Sequence, residues 1–176
     1  MNHTLFPNEE IDSTYEIDFA AYYQEGYRGV IFDIDNTLVP HGAPADARAI
    51  ALFSELHALG FQTLVLSNNK EPRVRTFAEP VDSLYIYKGG KPAGRGYLKA
   101  MELMGTDTTS TLFVGDQIFT DVWGARRVGI RSILVHPIHP KEEIQIVLKR
   151  RLEWPILKVY RKSKYYRRAK QRDERG

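Results

Sequence analysis

Five short apolar runs recur through the middle of the chain, separated by stretches with helical spacing. The runs cover residues 29–32, 62–66, 84–87, 111–114 and 131–135, and helices are predicted over 45–59, 71–77, 92–104 and 118–128. Runs such as 30–32 and 64–66 are continuous, which is typical of strands covered on both faces of a sheet. Strands that alternate with helices favour parallel pairing. The sequence therefore predicts an α/β fold, a three-layer sandwich around a mostly parallel central sheet.

Acidic and small polar residues stand directly after these predicted strands. They are Asp33, Asp35, Thr37, Ser67, Asn68, Lys91, Asp116 and Asp121. Ligands of open α/β sheets bind outside the carboxyl ends of the strands, so the fold would gather these residues into one crevice. Crowded carboxylates repel one another, and Mg²⁺ relieves this by binding few carboxylates together with substrate phosphate. We therefore expect a magnesium pocket, in which Asp116 completes the metal shell and Asp121 orients it from outside.

The spacing within this set suggests a division of chemical roles. Side chains alternate along an extended strand end, so Asp33 and Asp35 face the same side. Asp33 can then attack phosphorus as a carboxylate nucleophile, and Asp35 can serve as general acid and then as general base. Lys91, Ser67 and the loop amides would bind the oxygens of the transferring phosphoryl group. This set of residues predicts phosphate-ester hydrolysis.

Four motifs, in this order along the chain, resemble those of the haloacid dehalogenase (HAD) superfamily of aspartate-nucleophile phosphatases. They are DIDNT, the serine after the second predicted strand, Lys-Pro and GDQIFTD. Longer segments are similar to the YqeG family of HAD subclass IIIA phosphatases, among them GVIFDIDNTLVP, LSNNKEPRV, YIYKGGKPAGRGY and VGDQIFTDVWGARRVGIRSILV. The similarity extends over about residues 6 to 170, nearly the whole chain.

This resemblance implies a HAD-like Rossmannoid fold, an aspartyl-phosphate intermediate on Asp33 and a lipid substrate. The family includes mitochondrial phosphatidylglycerophosphate phosphatases, so phosphatidylglycerophosphate is the substrate it suggests; soluble metabolites and phosphoproteins are the alternative. Thr37 would support the loop that carries both aspartates. The expected phosphate contacts are Thr37, Ser67, Asn68 and Lys91, the expected Mg²⁺ ligands are Asp33, Asp35 and Asp116, and Asp121 supports them from behind.

The distances between motifs leave no room for a cap domain. Asp33 and Ser67 are 34 residues apart, and Ser67 and Lys91 are 24 apart, each interval filled by one predicted helix and its connections. An uncapped site excludes water less well but admits a phosphate that belongs to something large. A lipid headgroup, a phosphoprotein and a nucleic acid all meet that condition.

Charge divides the chain into an acidic body and a basic tail. Residues 1–148 hold 13 Lys and Arg against 19 Asp and Glu, whereas residues 149–176 hold 12 against 3. We predict three parts: an extension (1–28) that packs on the core, a capless HAD-like domain (29–148) and a basic helical tail (149–176). The tail is amphipathic, interrupted at Pro155, and three readings stay open: contact with an anionic membrane, contact with RNA or the ribosome, or packing on the domain.

Composition bears on where such a protein would reside. The chain has no cysteine, its N-terminus lacks the pattern of a signal peptide, and its longest stretch without a charged residue is only 14 residues, from Leu56 to Asn69. A membrane-spanning helix needs about 20 mostly apolar residues. The expectation is a cytoplasmic protein without a transmembrane segment, peripheral at the inner face of the membrane.

Overall fold

A sheet of six strands, with every neighbouring pair parallel, forms the centre of the molecule. It is seen in a computed structural model that describes residues 4–138, 144–163 and 166. The strands are β1 (Glu9–Ile11), β2 (Gly29–Phe32), β3 (Gln62–Leu66), β4 (Leu84–Ile86), β5 (Thr111–Gly115) and β6 (Arg131–Val135). Their order across the sheet is β1-β6-β5-β2-β3-β4, which confirms the predicted parallel α/β architecture.

Helices cover both faces of this sheet. They are α1 (Phe19–Gln24), α2 (Ala47–Leu59), α3 (Glu71–Ala78), α4 (Gly94–Met104), α5 (Trp123–Arg127) and α6 (Ile144–Arg161), with a 3-10 turn at Thr14–Glu16 and a π-helical segment at Ile118–Val122. Phe32 of β2 packs in one core with residues of α1, α2 and α3. Its neighbour Ile31 packs in a second core with residues of α4 and α5. Because successive side chains of a strand point to opposite faces, these two cores define the three layers.

Local sequence explains where α2 begins and ends. The Asp46 side chain accepts a hydrogen bond from the backbone N–H of Ala49 at 2.8 Å, so the helix starts two residues after the predicted position. Gly60 ends it in the left-handed conformation, with φ of 100°. The connections from β2 to β3 and from β3 to β4 hold α2 and α3 and no further element. In this fully described part of the chain there is no cap domain.

The outermost strand β1 comes from the N-terminal extension, where the sequence predicts no strand. Glu9 is buried within it, and its carboxylate accepts hydrogen bonds from the Tyr22 hydroxyl and the Arg131 guanidinium. Glu9 also pairs in register with Ile133 of β6. A Glu-Glu-Ile segment has little strand propensity, so its conformation depends on these contacts, and Arg131 and Ile133 lie more than 100 positions away.

Helix α6 runs straight through Pro155, where the sequence predicts an interruption. Two buried side chains anchor the helix on either side of this proline: Glu153, and Tyr160, whose ring lies 5.5 Å from that of Phe6. These contacts compensate for the backbone hydrogen bond that a proline removes. The rest of the predicted tail, residues 164–165 and 167–176, lies outside the described residues. None of the helices described reaches the length and apolar content that crossing a bilayer requires.

The edge of the sheet and α6 are joined by an ion-pair cluster around Glu10, which makes the stability pH-dependent. Arg161 and His136 both bond the Glu10 carboxylate. Burial alone would raise the pKa of Glu10, but these partners outweigh it and hold the pKa below its ordinary value. A lowered pKa contributes stability at neutral pH that is lost as the pH falls through the folded-state pKa.

We therefore expect Glu10→Gln to lower the free energy of unfolding at pH 7 and to have no effect once the pH is well below the ordinary glutamate value of about 4. The effect is expected to stay under about 1 kcal/mol, because Arg161 and His136 are half-exposed and solvent screens them. Urea unfolding of both proteins between pH 3 and pH 7 measures the difference. A difference that persists unchanged across this range would contradict the expectation.

Candidate active site

An open depression lies at the carboxyl ends of the strands, with a volume of about 210 Å³. Its lining residues are Asp33, Asp35, Asn36, His41, Ser67, Asn68, Asn69, Lys91, Gln117 and Thr120. They come from the loops after β2, β3, β4 and β5, which confirms the prediction that the strand ends meet in one crevice. Of the eight predicted site residues, Thr37, Asp116 and Asp121 lie behind this surface.

A buried ammonium group sits between two carboxylates at the floor of the depression. Lys91 Nζ lies 2.5 Å from an oxygen of Asp33 and 2.7 Å from an oxygen of Asp121. Burial alone would lower the pKa of Lys91, but the two carboxylates outweigh it and raise the pKa above its usual value. Burial raises the pKa of Asp33 to about 6; Lys91 opposes this rise, and the charges of Asp121 and Asp35 add to it. Lys91 is therefore charged under all ordinary conditions.

Three buried carboxylates converge beside this lysine. Oxygens of Asp33, Asp116 and Asp121 lie within 4.8 Å of one another. The Thr37 hydroxyl bridges two of them, at 3.2 Å from Asp116 and 3.4 Å from Asp33. When all three are ionised, their negative charges outnumber the single positive charge of Lys91 by two. The cluster is therefore suited in charge and in ligand type to a divalent cation that prefers oxygen.

Close packing of the backbone allows Asp121 to reach this cluster. A Cβ atom on Gly115, at the end of β5, would lie 2.6 Å from an Asp121 carboxylate oxygen. That approach is shorter than any normal contact, so only glycine at position 115 lets the Asp121 side chain lie against the strand. Asp121 also accepts a hydrogen bond from the Gln117 backbone N–H at 3.1 Å.

The Asp35 carboxylate lies outside the acidic cluster and has a separate set of partners. It accepts hydrogen bonds from Arg73 at 2.7 Å, from the Asn69 side chain at 2.8 Å and from the Gly42 backbone N–H at 2.9 Å. These contacts hold it at the rim of the depression, where a leaving group would pass. Its role as acid and base stays a prediction. A metal contact through the same side chain would have to replace these bonds and stays a prediction.

The predicted phosphate-binding residues differ in what their side chains contact. The Asn68 side chain holds the Lys91 backbone through two hydrogen bonds, at 2.8 Å to its N–H and 3.0 Å to its carbonyl. The Ser67 hydroxyl accepts from the Asn69 N–H at 3.1 Å. Asn68 therefore fixes the loop that delivers the Lys91 ammonium. The direct phosphate contacts of Thr37, Ser67, Asn68 and Lys91 remain predictions.

Several residues of the site have no counterpart in the sequence prediction. They are Arg73, His41, Asn69, Gln117 and Thr120, and all except Arg73 line the depression. Arg73 lies in the first turns of α3, and the sequence alone predicts that this face of the helix is exposed to solvent. Its position in the sequence could have indicated a role. The helix after Ser67 begins beside the site, so a basic residue in its first two turns can reach the site.

We expect Arg73→Ala to lower kcat on a soluble phosphomonoester by about tenfold or more, because Asp35 loses its charged partner and its fixed orientation. Arg75→Ala is the matched control, since Arg75 lies in the same helix and its ion pair with Glu79 is exposed. Steady-state kinetics of both variants test this. Equal kcat values for the two variants would show that the Arg73–Asp35 contact does not matter for turnover.

Comparisons with known proteins agree with this geometry. A family model described as haloacid dehalogenase-like hydrolase matches residues 44–129. The protein named "Probable phosphatase YqeG" from Bacillus subtilis is 33% identical over 160 residues, which cover 90% of this chain and 93% of the relative. Phosphatidylglycerophosphate phosphatase 1, chloroplastic/mitochondrial, from Arabidopsis thaliana is 26% identical over 88% of this chain and 47% of the relative. The chain therefore spans about half the length of that plant enzyme.

Solved structures share the architecture at low sequence identity. A Vibrio cholerae protein assigned as a 3-deoxy-D-manno-octulosonate 8-phosphate phosphatase aligns with a TM-score of 0.54 at 13% identity, over 74% of this chain and 78% of that one. An uncharacterised protein from Corynebacterium glutamicum aligns with a TM-score of 0.52 at 20% identity. The alignment covers 72% of this chain and 93% of that protein. These likenesses show the fold. The relationship to YqeG, over nearly the full length of both chains, shows that this chain belongs to the haloacid dehalogenase-like hydrolases and is a phosphatase of the YqeG family.

Proposed function

We propose that the protein hydrolyses a phosphomonoester with Mg²⁺ as cofactor and an aspartyl-phosphate on Asp33 as intermediate. The observation that carries this proposal is the arrangement of one buried ammonium and three converging carboxylates around Asp33. Asp33, Asp116 and Asp121 supply oxygens of the kind that Mg²⁺ binds, and the ion would neutralise charge on the phosphoryl group. The ligands expected from the motifs, Asp33, Asp35 and Asp116, differ from this set in one residue, because Asp121 takes the place of Asp35 in the cluster.

The reaction follows from the positions of the side chains. The Asp33 oxygen that faces the depression attacks phosphorus, and the leaving oxygen takes a proton from Asp35 at the rim. Asp35, now a carboxylate, then removes a proton from the water that cleaves the aspartyl-phosphate. Lys91 stays charged throughout and offsets the charge of the phosphoryl oxygens. Arg73 and Asn69 keep Asp35 directed at the rim during both steps.

We propose a lipid phosphomonoester of the phosphatidylglycerophosphate type as the substrate. Two of the relatives are named as phosphatidylglycerophosphate phosphatases. The depression, at about 210 Å³, is smaller than the roughly 300–1,000 Å³ of pockets that enclose a whole small ligand. It can hold a phosphoryl group and the first atoms of an alcohol, while the remainder of the substrate stays outside. A phosphate at the surface of a bilayer meets this requirement.

Two substrates presented side by side test the proposed activity. We expect Mg²⁺-dependent release of phosphate from phosphatidylglycerophosphate in vesicles, at a kcat/KM at least tenfold above that for a panel of soluble phosphomonoesters. Chelation with EDTA should abolish release, and Mg²⁺ should restore it. Acid quenching during turnover should trap a phosphoryl group on Asp33, detectable by mass spectrometry. A preference for the soluble esters would contradict the lipid substrate, and full activity in EDTA would contradict the metal.

The outer face of α6 supports a peripheral contact with an anionic membrane. Leu152, Trp154 and Val159 are more than half-exposed there, at 66%, 62% and 60%. The basic side chains Arg151, Lys158 and Lys162, in and just after this helix, are exposed as well. Exposed apolar and aromatic side chains among basic ones are typical of helices that lie in a membrane interface, where each basic residue adds about 1 kcal/mol. We place the protein in the cytoplasm, at the inner face of the membrane, with residues 149–176 as the contacting part.

Vesicle sedimentation distinguishes this contact from the alternative partner, RNA. We expect binding to vesicles that contain phosphatidylglycerol, weak binding to phosphatidylcholine vesicles, and at least a threefold loss on Trp154→Ala. Retention on RNA that exceeds retention on anionic vesicles at the same salt concentration would favour the nucleic-acid alternative. The division of the chain at residues 28 and 148 is part of the same proposal, and limited proteolysis at these two points tests it.

A further inference from the structure

Helix α6 places a buried carboxylate against the loop that follows β5. Glu153 is 3% exposed, although its neighbours Leu152 and Trp154 are mostly exposed. One oxygen of its carboxylate accepts hydrogen bonds from the backbone N–H of Ile118 at 2.8 Å and of Phe119 at 3.2 Å. A glutamate is rarely buried to this extent unless its charge is compensated. These contacts therefore define a specific position for the Glu153 side chain.

The segment that Glu153 contacts lacks a cap of its own. The π-helical segment Ile118–Val122 follows Gln117, whose side chain makes no capping hydrogen bond. The first backbone N–H groups of a helical segment have no partner within it, and a negative charge is favourable there. Glu153 supplies this charge from a helix 35 residues further along the chain.

The capped segment carries much of the proposed chemistry. Asp116 directly precedes it, Asp121 lies within it, and Gln117 and Thr120 line the depression. A second contact fixes its other side, since the Tyr97 hydroxyl donates to the Thr120 carbonyl at 2.7 Å. The position of this short segment thus sets where two of the three clustered carboxylates lie relative to Asp33.

We propose that Glu153 is a positioning residue for phosphoryl transfer, which makes α6 a structural part of the active site. The inference rests on the proposed Mg²⁺-dependent phosphatase function. Glu153 acts through the backbone, because its carboxylate holds the N–H groups of Ile118 and Phe119. The proposed phosphate contacts Ser67, Asn68 and Lys91 lie on other loops, so loss of Glu153 should change kcat much more than KM.

Two variants at position 153 and one elsewhere test this inference. Glu153→Ala removes the acceptor, whereas Glu153→Gln keeps a carbonyl oxygen that can accept the same two hydrogen bonds. Tyr22→Phe is the matched control, because it removes a buried hydrogen bond, to Glu9, far along the chain from the capped segment. Kinetics use p-nitrophenyl phosphate, a soluble ester, so that membrane contact does not enter. Amide hydrogen exchange at Ile118 and Phe119 gives a readout independent of activity.

For Glu153→Ala we expect kcat to fall about 10- to 100-fold, while KM changes less than threefold. Half-maximal activity should require a higher Mg²⁺ concentration, and the amides of Ile118 and Phe119 should exchange faster. Glu153→Gln should restore kcat to within about threefold of the wild type, and Tyr22→Phe should lower the melting temperature alone. Unchanged kcat and exchange in Glu153→Ala would overturn the inference and leave the phosphatase function intact. If Glu153→Ala does not fold, a Glu153→Gln variant that keeps wild-type exchange at Ile118 and Phe119 but loses tenfold or more of kcat would equally overturn it. A wild-type protein inactive on every ester would contradict the function instead, and amide exchange would then decide whether Glu153 holds this segment.

Discussion

Asp33→Asn is expected to reduce turnover roughly 10⁴-fold or more while the fold stays intact, since the amide has nearly the shape of the carboxylate but cannot attack phosphorus. The variant should be no less stable than the wild type, because Asp33 is buried and its pKa is raised to about 6, which indicates that its charge is unfavourable in the absence of a metal. Phosphate release with saturating Mg²⁺ measures turnover, and circular dichroism with thermal unfolding measures the fold.

The matched control for this change is Asp82→Asn, at an exposed position between α3 and β4. It alters the same functional group without touching the depression and should keep wild-type turnover. If Asp33→Asn retained more than about 1% of wild-type kcat, the nucleophile would have to be another group, and the proposed aspartyl-phosphate would be wrong.

Lys91→Met is expected to destabilise the protein by about 3–5 kcal/mol in the absence of metal, because the change leaves Asp33 and Asp121 buried without their common cation. Turnover should fall by about 10²- to 10³-fold, as for the loss of one group that stabilises transition-state charge. Mg²⁺ should stabilise this variant more than it stabilises the wild type, since the change removes the ammonium that Asp33 and Asp121 share. Urea unfolding with and without Mg²⁺ measures both effects.

Lys88→Met is the control for the lysine change. Lys88 lies in the same loop and is exposed, and its backbone is in the left-handed region, with φ of 47°. We expect its stability and turnover to match the wild type. Equal stabilities for the Lys88 and Lys91 variants would show that the buried ion pairs do not contribute as the geometry indicates.

The sheet and the gathering of the motifs could be predicted because their signals are local. A continuous apolar run such as that of β2 identifies a buried strand, and the residues that follow it must lie at the carboxyl edge of a parallel sheet. Lys91 and Asp33 are 58 positions apart, yet their 2.5 Å contact follows from this rule. The parts of the site that depend only on strand ends were therefore accessible from the sequence.

What the sequence could not provide depends on partners distant along the chain. Strand β1 forms from a polar segment because β6 offers it an edge, and α6 passes through a proline because Glu153 and Tyr160 anchor it. Arg73 is one of many basic residues on helix surfaces until α3 is placed beside Asp35. Such contacts leave no periodic or compositional pattern, so only the assembled fold reveals them.

The pairing of β1 with β6 has a consequence for how the protein is made. Synthesis proceeds from the N-terminus, and domains fold as their residues emerge from the ribosome. The partner residues of Glu9–Ile11 lie at positions 133–135, so the first strand to be translated is the last to find its neighbour. Until then the buried carboxylate of Glu9 also lacks its partner Arg131. During that interval the N-terminal strand keeps an unpaired backbone edge, the kind of surface to which another chain can pair.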